Sequence, residues 1–274
     1  MFSIYRTEAG YTIEKGSYCV LAEDFCLDTL FTSEDPLKYT EFQFESGQSR
    51  DLPSGALLAP VKSQEVWAAG VTYYRSRDAR MEESESSGGD RFYDMVYEAE
   101  RPELFFKATA DRSRGHLDKV CIRSDSSWDV PEPELTLAIN LNGKVFGYTV
   151  GNDMSSRSIE GENPLYLPQA KVYRGSCSLG PCLVVGSGPG KEALISVKIT
   201  RAGEVVFAGN TEVSQIKRSF DELAEFLFRD NEFPNGALLM TGTGVVPDSD
   251  FTLNSGDLIS ISIDGIGTLE NEVE

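Results

Sequence analysis

Glu132 and Glu134 stand in the stretch "DVPEPELTLAINLNGKVFGYTVGND", spaced by a proline just before an apolar run, and Asp153 closes it. Side chains alternate across an extended segment, so two carboxylates at i and i+2 point the same way. Downstream, Asn142-Gly143 is the strongest short-range signal for a two-residue type I′ hairpin. Such a turn sets Leu141 opposite Lys144. The ladder then sets Gly151 opposite Glu134, and Asp153 opposite Glu132. Cross-strand partners share a face. Three carboxylates therefore converge, with a glycine leaving room beside Glu134. A bulge at Gly147 would move this register by one residue.

Three mutually close anions either raise a pKa sharply or bind a cation. An all-oxygen set with no His or Cys selects a hard divalent ion: Mg²⁺ first, with Mn²⁺ or Ca²⁺ as alternatives. The competing reading is an exposed hairpin end whose acids are solvated separately. The prolines and the coincidence of register count against it. Lys171, in "LPQAKVY", is apolar on both sides, which favours partial burial over a surface position. It reads as an ammonium electrophile or a Schiff-base amine. The chain has one histidine, His116, in the polar turn "DRSRGHLDK", where a non-catalytic role is expected. "GSGPGK" (186–191) lacks the spacing and the Ser or Thr of a phosphate-binding loop and reads as a turn between strands. "TGTG" (241–244), after "ALLM", is by itself a weak signal for a backbone-lined binding loop.

These groups need strands to hold them. The turn chemistry predicts a mainly β chain with few helices (α+β), its strands mostly antiparallel. Residues 1–62, with "SEDP" and "LPSG" turns, read as a small β-rich N-terminal subdomain, and 63–274 as the main domain. "SFDELAEFLF" is the clear helix, with Ser219 and Glu222 as a capping box and Phe220, Leu223 and Leu227 as its stripe. The charged segment at about 75–101 reads as a surface excursion or a lid. Five scattered cysteines without a CxxC argue against a zinc site or a disulfide framework. A net charge of −19 repels phosphate backbones and anionic membranes, which excludes nucleic acid and membrane surfaces as partners. No apolar run approaches the roughly 20 residues of a membrane span. The N-terminus lacks a signal-peptide pattern, which points to the cytoplasm.

"WDVPEPEL", "GYTVGNDMSSR", "YLPQAK", "LLMTGTG" and "GDLISISIDGIGTLENEV" together resemble the fumarylacetoacetate hydrolase superfamily over about 66–273. The resemblance implies a mixed β-sandwich roll and a homodimer or higher homo-oligomer. It also implies an Mg²⁺-type ion that chelates the carboxylate and keto oxygens of a small-molecule 2-oxo acid. The family's metal ligands fall on Glu132, Glu134 and Asp153, its lysine on Lys171, and its substrate-binding "GT" on Gly242 and Thr243. Hydrolytic members carry a histidine on the segment that here reads "TYYRSRDAR", where Ser76 or Asp78 takes its place. An acidic position shortly after the lysine reads Arg174. The pattern, including "SSRSIEGENPLYLPQAK", looks closest to the branch that dehydrates 2-keto-3-deoxy-pentonates to a semialdehyde such as 2,5-dioxopentanoate. In that chemistry a lid carboxylate, Glu82 or Glu83, is the expected base. Ser76 and Arg77, with Arg75 and Arg80, would help to hold the anionic substrate. The runner-up readings are a hydrolase or decarboxylase of acylpyruvates and diketo acids, and a non-catalytic 2-oxo-acid binding protein.

Overall fold

A computed structural model describes residues 1–73 and 96–274. β1 (Phe2–Thr7), β2 (Gly10–Lys15) and β3 (Tyr18–Ala22) form an N-terminal meander, followed by α1 (Leu27–Thr32) and α2 (Pro36–Ser46). β4 (Gln48–Ser49) returns to β3, and β5 (Glu65–Gly70) and β6 (Glu103–Ala108) are next in order. Short strands β7 (Ser113–Arg114), β8 (Lys119–Val120) and β9 (Asp129–Val130) lead to β10 (Pro133–Ile139) and β11 (Val145–Asp153). Then come β12 (Ser155–Ser156), α3 (Arg157–Glu162), α4 (Leu167–Lys171) and β13 (Cys177–Val185). The hairpin β14 (Leu194–Arg201) and β15 (Glu204–Glu212), α5 (Phe220–Phe228), β16 (Ala237–Met240), β17 (Leu258–Ile263) and β18 (Gly267–Val273) complete the chain.

The large sheet runs β4-β3-β2-β1-β13-β11-β10-β16-β5-β6, with β7 beside β13, and a second sheet runs β15-β14-β17-β18-β8. Most pairings are antiparallel, whereas β16–β5, β13–β7 and β18–β8 are parallel. The strands of the first 62 residues continue the sheet that carries β10 and β11, through the pairing of β1 with β13. Two helices also lie in that region, which the sequence describes only as β-rich. "SEDP" is the start of α2 rather than a turn between strands: Asp35 accepts from the Lys38 amide at 3.0 Å and Pro36 fills the first turn. This is a helix N-cap with proline just inside it.

β10 is buried along its whole length because both faces are covered. Leu135 joins the core against the second sheet, made with Val150, Val197 and Ile261. Leu137 and Ile139 pack under α5 against Leu223 and Leu227. On the opposite face Ala138 meets the core of α1, with Leu30 and Phe31. Each such fully buried aliphatic or aromatic side chain contributes about 1.5–3 kcal/mol. α5 is capped as its sequence suggests, Ser219 Oγ accepting from the Glu222 amide at 3.2 Å.

The turn that aims the carboxylates differs from the two-residue hairpin. Asn140 N–H donates to Lys144 O at 2.9 Å and Gly143 N–H to Asn140 O at 2.9 Å, enclosing a three-residue loop with Gly143 at φ 76°. That loop displaces the register by one residue, so Ile139 pairs with Val145. A bulge at Phe146 displaces it back, and Ala138 pairs with Gly147. The extra residue, Phe146, packs edge-on against Phe31 with ring centroids 5.0 Å apart. The two departures cancel.

Candidate metal centre

Beyond the bulge Glu134 lies opposite Gly151, and the Asp153 amide donates to Glu132 O at 3.0 Å. One oxygen from each of Glu132, Glu134 and Asp153 lies within 4.8 Å of the others, and all three residues are buried. A Cβ at Gly151 would meet Thr136 Oγ1 at 2.3 Å, which is why this position opposite Glu134 is bare.

Among the described residues, three buried cations surround the acids. Lys171, at the last position of α4, donates to Glu132 Oε2 (2.8 Å), Asp153 Oδ2 (3.1 Å) and Ser155 Oγ (2.6 Å). Arg157 Nη2, on the first turn of α3, donates to Glu132 Oε1 at 2.8 Å. Lys107 Nζ, from β6, contacts Asp153 Oδ1. Glu160, buried on α3, lies 3.6 Å from Lys171 Nζ and 3.8 Å from Arg157 Nε. Among the described residues four carboxylates thus face three cations, a balance to which a divalent ion would add positive charge. Burial, then the charges of Asp153 and Glu132, push the Glu134 carboxyl well above the usual carboxylate range, against the opposing pull of Lys171 and the Gly242 amide. A metal ion and a proton therefore compete for it. The donor set fits a hard divalent cation: carboxylate oxygens alone, held rigidly at strand ends.

Gly242 and Thr243 also reach this pocket, whose lining includes Gly70, Phe105, Glu132, Asp153 and Lys171. The Gly242 amide donates to Glu134 Oε2 at 2.6 Å, and its φ is 92°. A Cβ there would lie 2.0 Å from Thr72 Oγ1 and 3.0 Å from Ala69 O. Gly242→Ala should therefore cost about 1–3 kcal/mol of stability from backbone strain and weaken divalent-ion binding by moving the amide that orients Glu134. Thermal denaturation with a parallel Mg²⁺ titration measures both.

Glu82, Glu83, Ser76 and Arg77 lie outside the described residues, as do Arg75, Asp78 and Arg80. Arg174 is exposed and pairs with Glu274 at 3.1 Å. Sequence reasoning missed one face of β6. Glu103, Phe105 and Lys107 alternate along it: Lys107 reaches Asp153, the Phe105 ring centroid lies 5.7 Å from Lys171 Nζ, and the Glu103 carboxyl lies over Gly70. A lysine inside "ELFFKA" was the available signal, because a cation in so apolar a strand needs a buried anion. Arg157 and Glu160 were likewise legible only as an i,i+3 pair in "SSRSIE".

Residues 81–274 match the family described as fumarylacetoacetate (FAA) hydrolase, C-terminal. The chain belongs to the fumarylacetoacetate hydrolase family. A Haloferax volcanii protein described as a probable 2-keto-3-deoxyxylonate dehydratase is 52% identical over 216 residues, covering 78% of this chain and 73% of the relative. The 2-dehydro-3-deoxy-D-arabinonate dehydratase of Saccharolobus solfataricus is 43% identical over 222 residues, 80% of this chain and 74% of that one. A solved 2-keto-3-deoxy-D-arabinonate dehydratase, complexed with magnesium and 2,5-dioxopentanoate, superposes with a TM-score of 0.84 at 33% identity, covering 100% of this chain and 98% of that one. The mainly β architecture expected of this family is the one observed.

Proposed function

We propose that this protein is an Mg²⁺-dependent dehydratase that converts a 2-keto-3-deoxy-pentonate to a semialdehyde of the 2,5-dioxopentanoate kind. The observation that carries the reading is the buried triad of Glu132, Glu134 and Asp153 with Lys171 across two of its members, in a chain close in sequence to pentonate dehydratases. Glu132, Glu134 and Asp153 would hold Mg²⁺, which would supply Lewis-acid polarisation of the carbonyl of a 2-oxo acid and so acidify its C3–H.

The chain's own residues supply the rest. The Lys171 ammonium, fixed by Glu132, Asp153 and Ser155, stabilises the negative charge that develops on the substrate as the C3 proton leaves. Gly242 and Thr243 form the wall against which the substrate lies. A carboxylate accepts the C3 proton. Among the described residues Glu103 is placed for this, since it lies over Gly70 at the pocket; Glu82 and Glu83 are the other candidates. Departure of the C4 hydroxyl with a proton, as water, leaves a C3–C4 double bond. Migration of that bond to the C5 enol and tautomerisation give the aldehyde, for a net loss of one water.

No imidazole is needed. The chain's only histidine, His116, has its Nδ1 engaged by the Glu270 amide at 3.1 Å, joining the loop at 115–118 to β18. His116→Ala should leave turnover within about tenfold, roughly 1.4 kcal/mol of barrier. The proton-abstraction step is tested with 2-oxobutanoate, which has C3–H bonds but no C4 hydroxyl. In D₂O its C3 protons should exchange only with both protein and Mg²⁺ present, and Glu103→Gln should slow this by about 10²-fold or more. Exchange that ignores Mg²⁺ would remove the metal from the chemistry. The reading also takes the protein to act in the cytoplasm and, as the family resemblance implies, as a homo-oligomer; sedimentation equilibrium tests the assembly.

A further inference from the structure

We propose that Lys107 is a positioning residue that makes Asp153 a one-oxygen ligand, and so sets the preference of this centre for a small octahedral ion over a larger one. The proposal rests on the metal-centre reading above. Apart from Lys171, which spans Glu132 Oε2 and Asp153 Oδ2, a separate protein donor meets one oxygen of each carboxylate of the triad: Arg157 Nη2 meets Glu132 Oε1 at 2.8 Å, the Gly242 amide meets Glu134 Oε2 at 2.6 Å, and Lys107 Nζ meets Asp153 Oδ1. Lys107 is the donor of these three that does not reach the pocket, whereas Arg157 and Gly242 line it. Its side chain is fully buried, and it is not among the residues that line the pocket.

An ammonium has three protons, and the Lys107 ammonium has three partners. Besides Asp153 these are two main-chain carbonyls, Met154 O at 3.0 Å and Lys171 O at 2.6 Å. One carbonyl follows Asp153 directly and the other ends α4, so the ammonium is located by the backbone on either side of the centre rather than by a swinging side chain. Lys107 acts on the chemistry only through Asp153.

With Oδ1 held by Lys107, Asp153 would offer an ion its Oδ2, the oxygen that Lys171 also contacts at 3.1 Å. Three such one-oxygen ligands would suit an octahedral ion and would leave room for a chelating substrate and water. Mg²⁺ demands that near-octahedral arrangement, whereas Ca²⁺ accepts six to eight oxygens and readily takes carboxylates through both. Releasing Asp153 Oδ1 would therefore favour the larger ion.

Calorimetric titration of Mg²⁺ and Ca²⁺ into the wild type and Lys107→Met is the test. The Ca²⁺-to-Mg²⁺ affinity ratio should rise by about tenfold or more in Lys107→Met, within the range for partners of metal ligands, and Lys107→Arg should return it toward the wild-type value. A merely structural lysine would weaken both ions alike, and an unchanged ratio overturns the proposal. Should Lys107→Met fail to fold, infrared difference spectra of the wild type decide it. Mg²⁺ should produce the wide splitting of carboxylate stretches that one-oxygen ligation gives, and a narrow, two-oxygen pattern overturns the proposal. A wild type that binds neither ion refutes the metal centre itself, a result distinct from an unchanged ratio.

Discussion

Glu134→Gln should abolish measurable Mg²⁺ binding and lower turnover by at least about 10³-fold, roughly 4 kcal/mol of barrier, while the protein stays folded. The amide keeps the shape of the side chain and an oxygen for the Gly242 N–H, so no buried donor loses its acceptor. What it removes is one negative charge from a cluster in which four carboxylates face three cations. Burial already resists ionisation of this group. The apo protein should therefore be as stable as the wild type, or more so, even though its site is dead. Calorimetric titration and thermal denaturation of the same preparation separate the two effects. Undiminished Mg²⁺ binding would place the ion elsewhere.

Lys171→Met should act in the opposite electrostatic sense. It removes the cation shared by Glu132, Asp153 and Ser155, leaving buried acids with less compensation. Breaking a buried ion pair from one side costs about 3–5 kcal/mol, so the apo variant should melt well below the wild type. The more negative site should bind Mg²⁺ at least as tightly, and saturating Mg²⁺ should recover much of the lost stability, because a ligand of the native state stabilises it by mass action. Turnover should nevertheless fall by about 10³-fold, as expected when a preorganised charge for the transition state is lost. A variant that loses metal binding and activity together, without this rescue, would make Lys171 part of the metal site rather than of the chemistry.

The triad was legible because its logic is local. Alternation places Glu132 and Glu134 on one face, and a single hairpin brings Asp153 across to them. Even there, the expected register holds through two compensating departures, the three-residue loop at Asn140–Lys144 and the bulge at Phe146. Neither is visible without the packing of Phe146 on Phe31. Lys107 and Glu103 were not legible as site residues, because β6 reaches the centre only through β5, which pairs in parallel with β16 from the far end of the chain. No local pattern announces a pairing of that separation. α2 departs from the sequence reading for the opposite reason: its local signal, Asp35-Pro36, is present but also fits a turn, whereas α1 starts after Cys26 with no side-chain cap to announce it. Lys171 was read as partly buried from its apolar neighbours, and it is fully buried. Its partner Glu160, and Arg157, which shares Glu132 with it, sit on α3, whose place depends on how the chain turns after Asp153.

The dehydration is tested most directly by incubating purified protein and Mg²⁺ with 2-keto-3-deoxy-pentonates and, separately, with acylpyruvates, and weighing the products by mass spectrometry. The account predicts that a keto-deoxy-pentonate loses one water with all five carbons retained, yields 2,5-dioxopentanoate, and stops doing so when the metal is chelated. Cleavage of an acylpyruvate into pyruvate and a second acid, with every keto-deoxy-pentonate left intact, would contradict it.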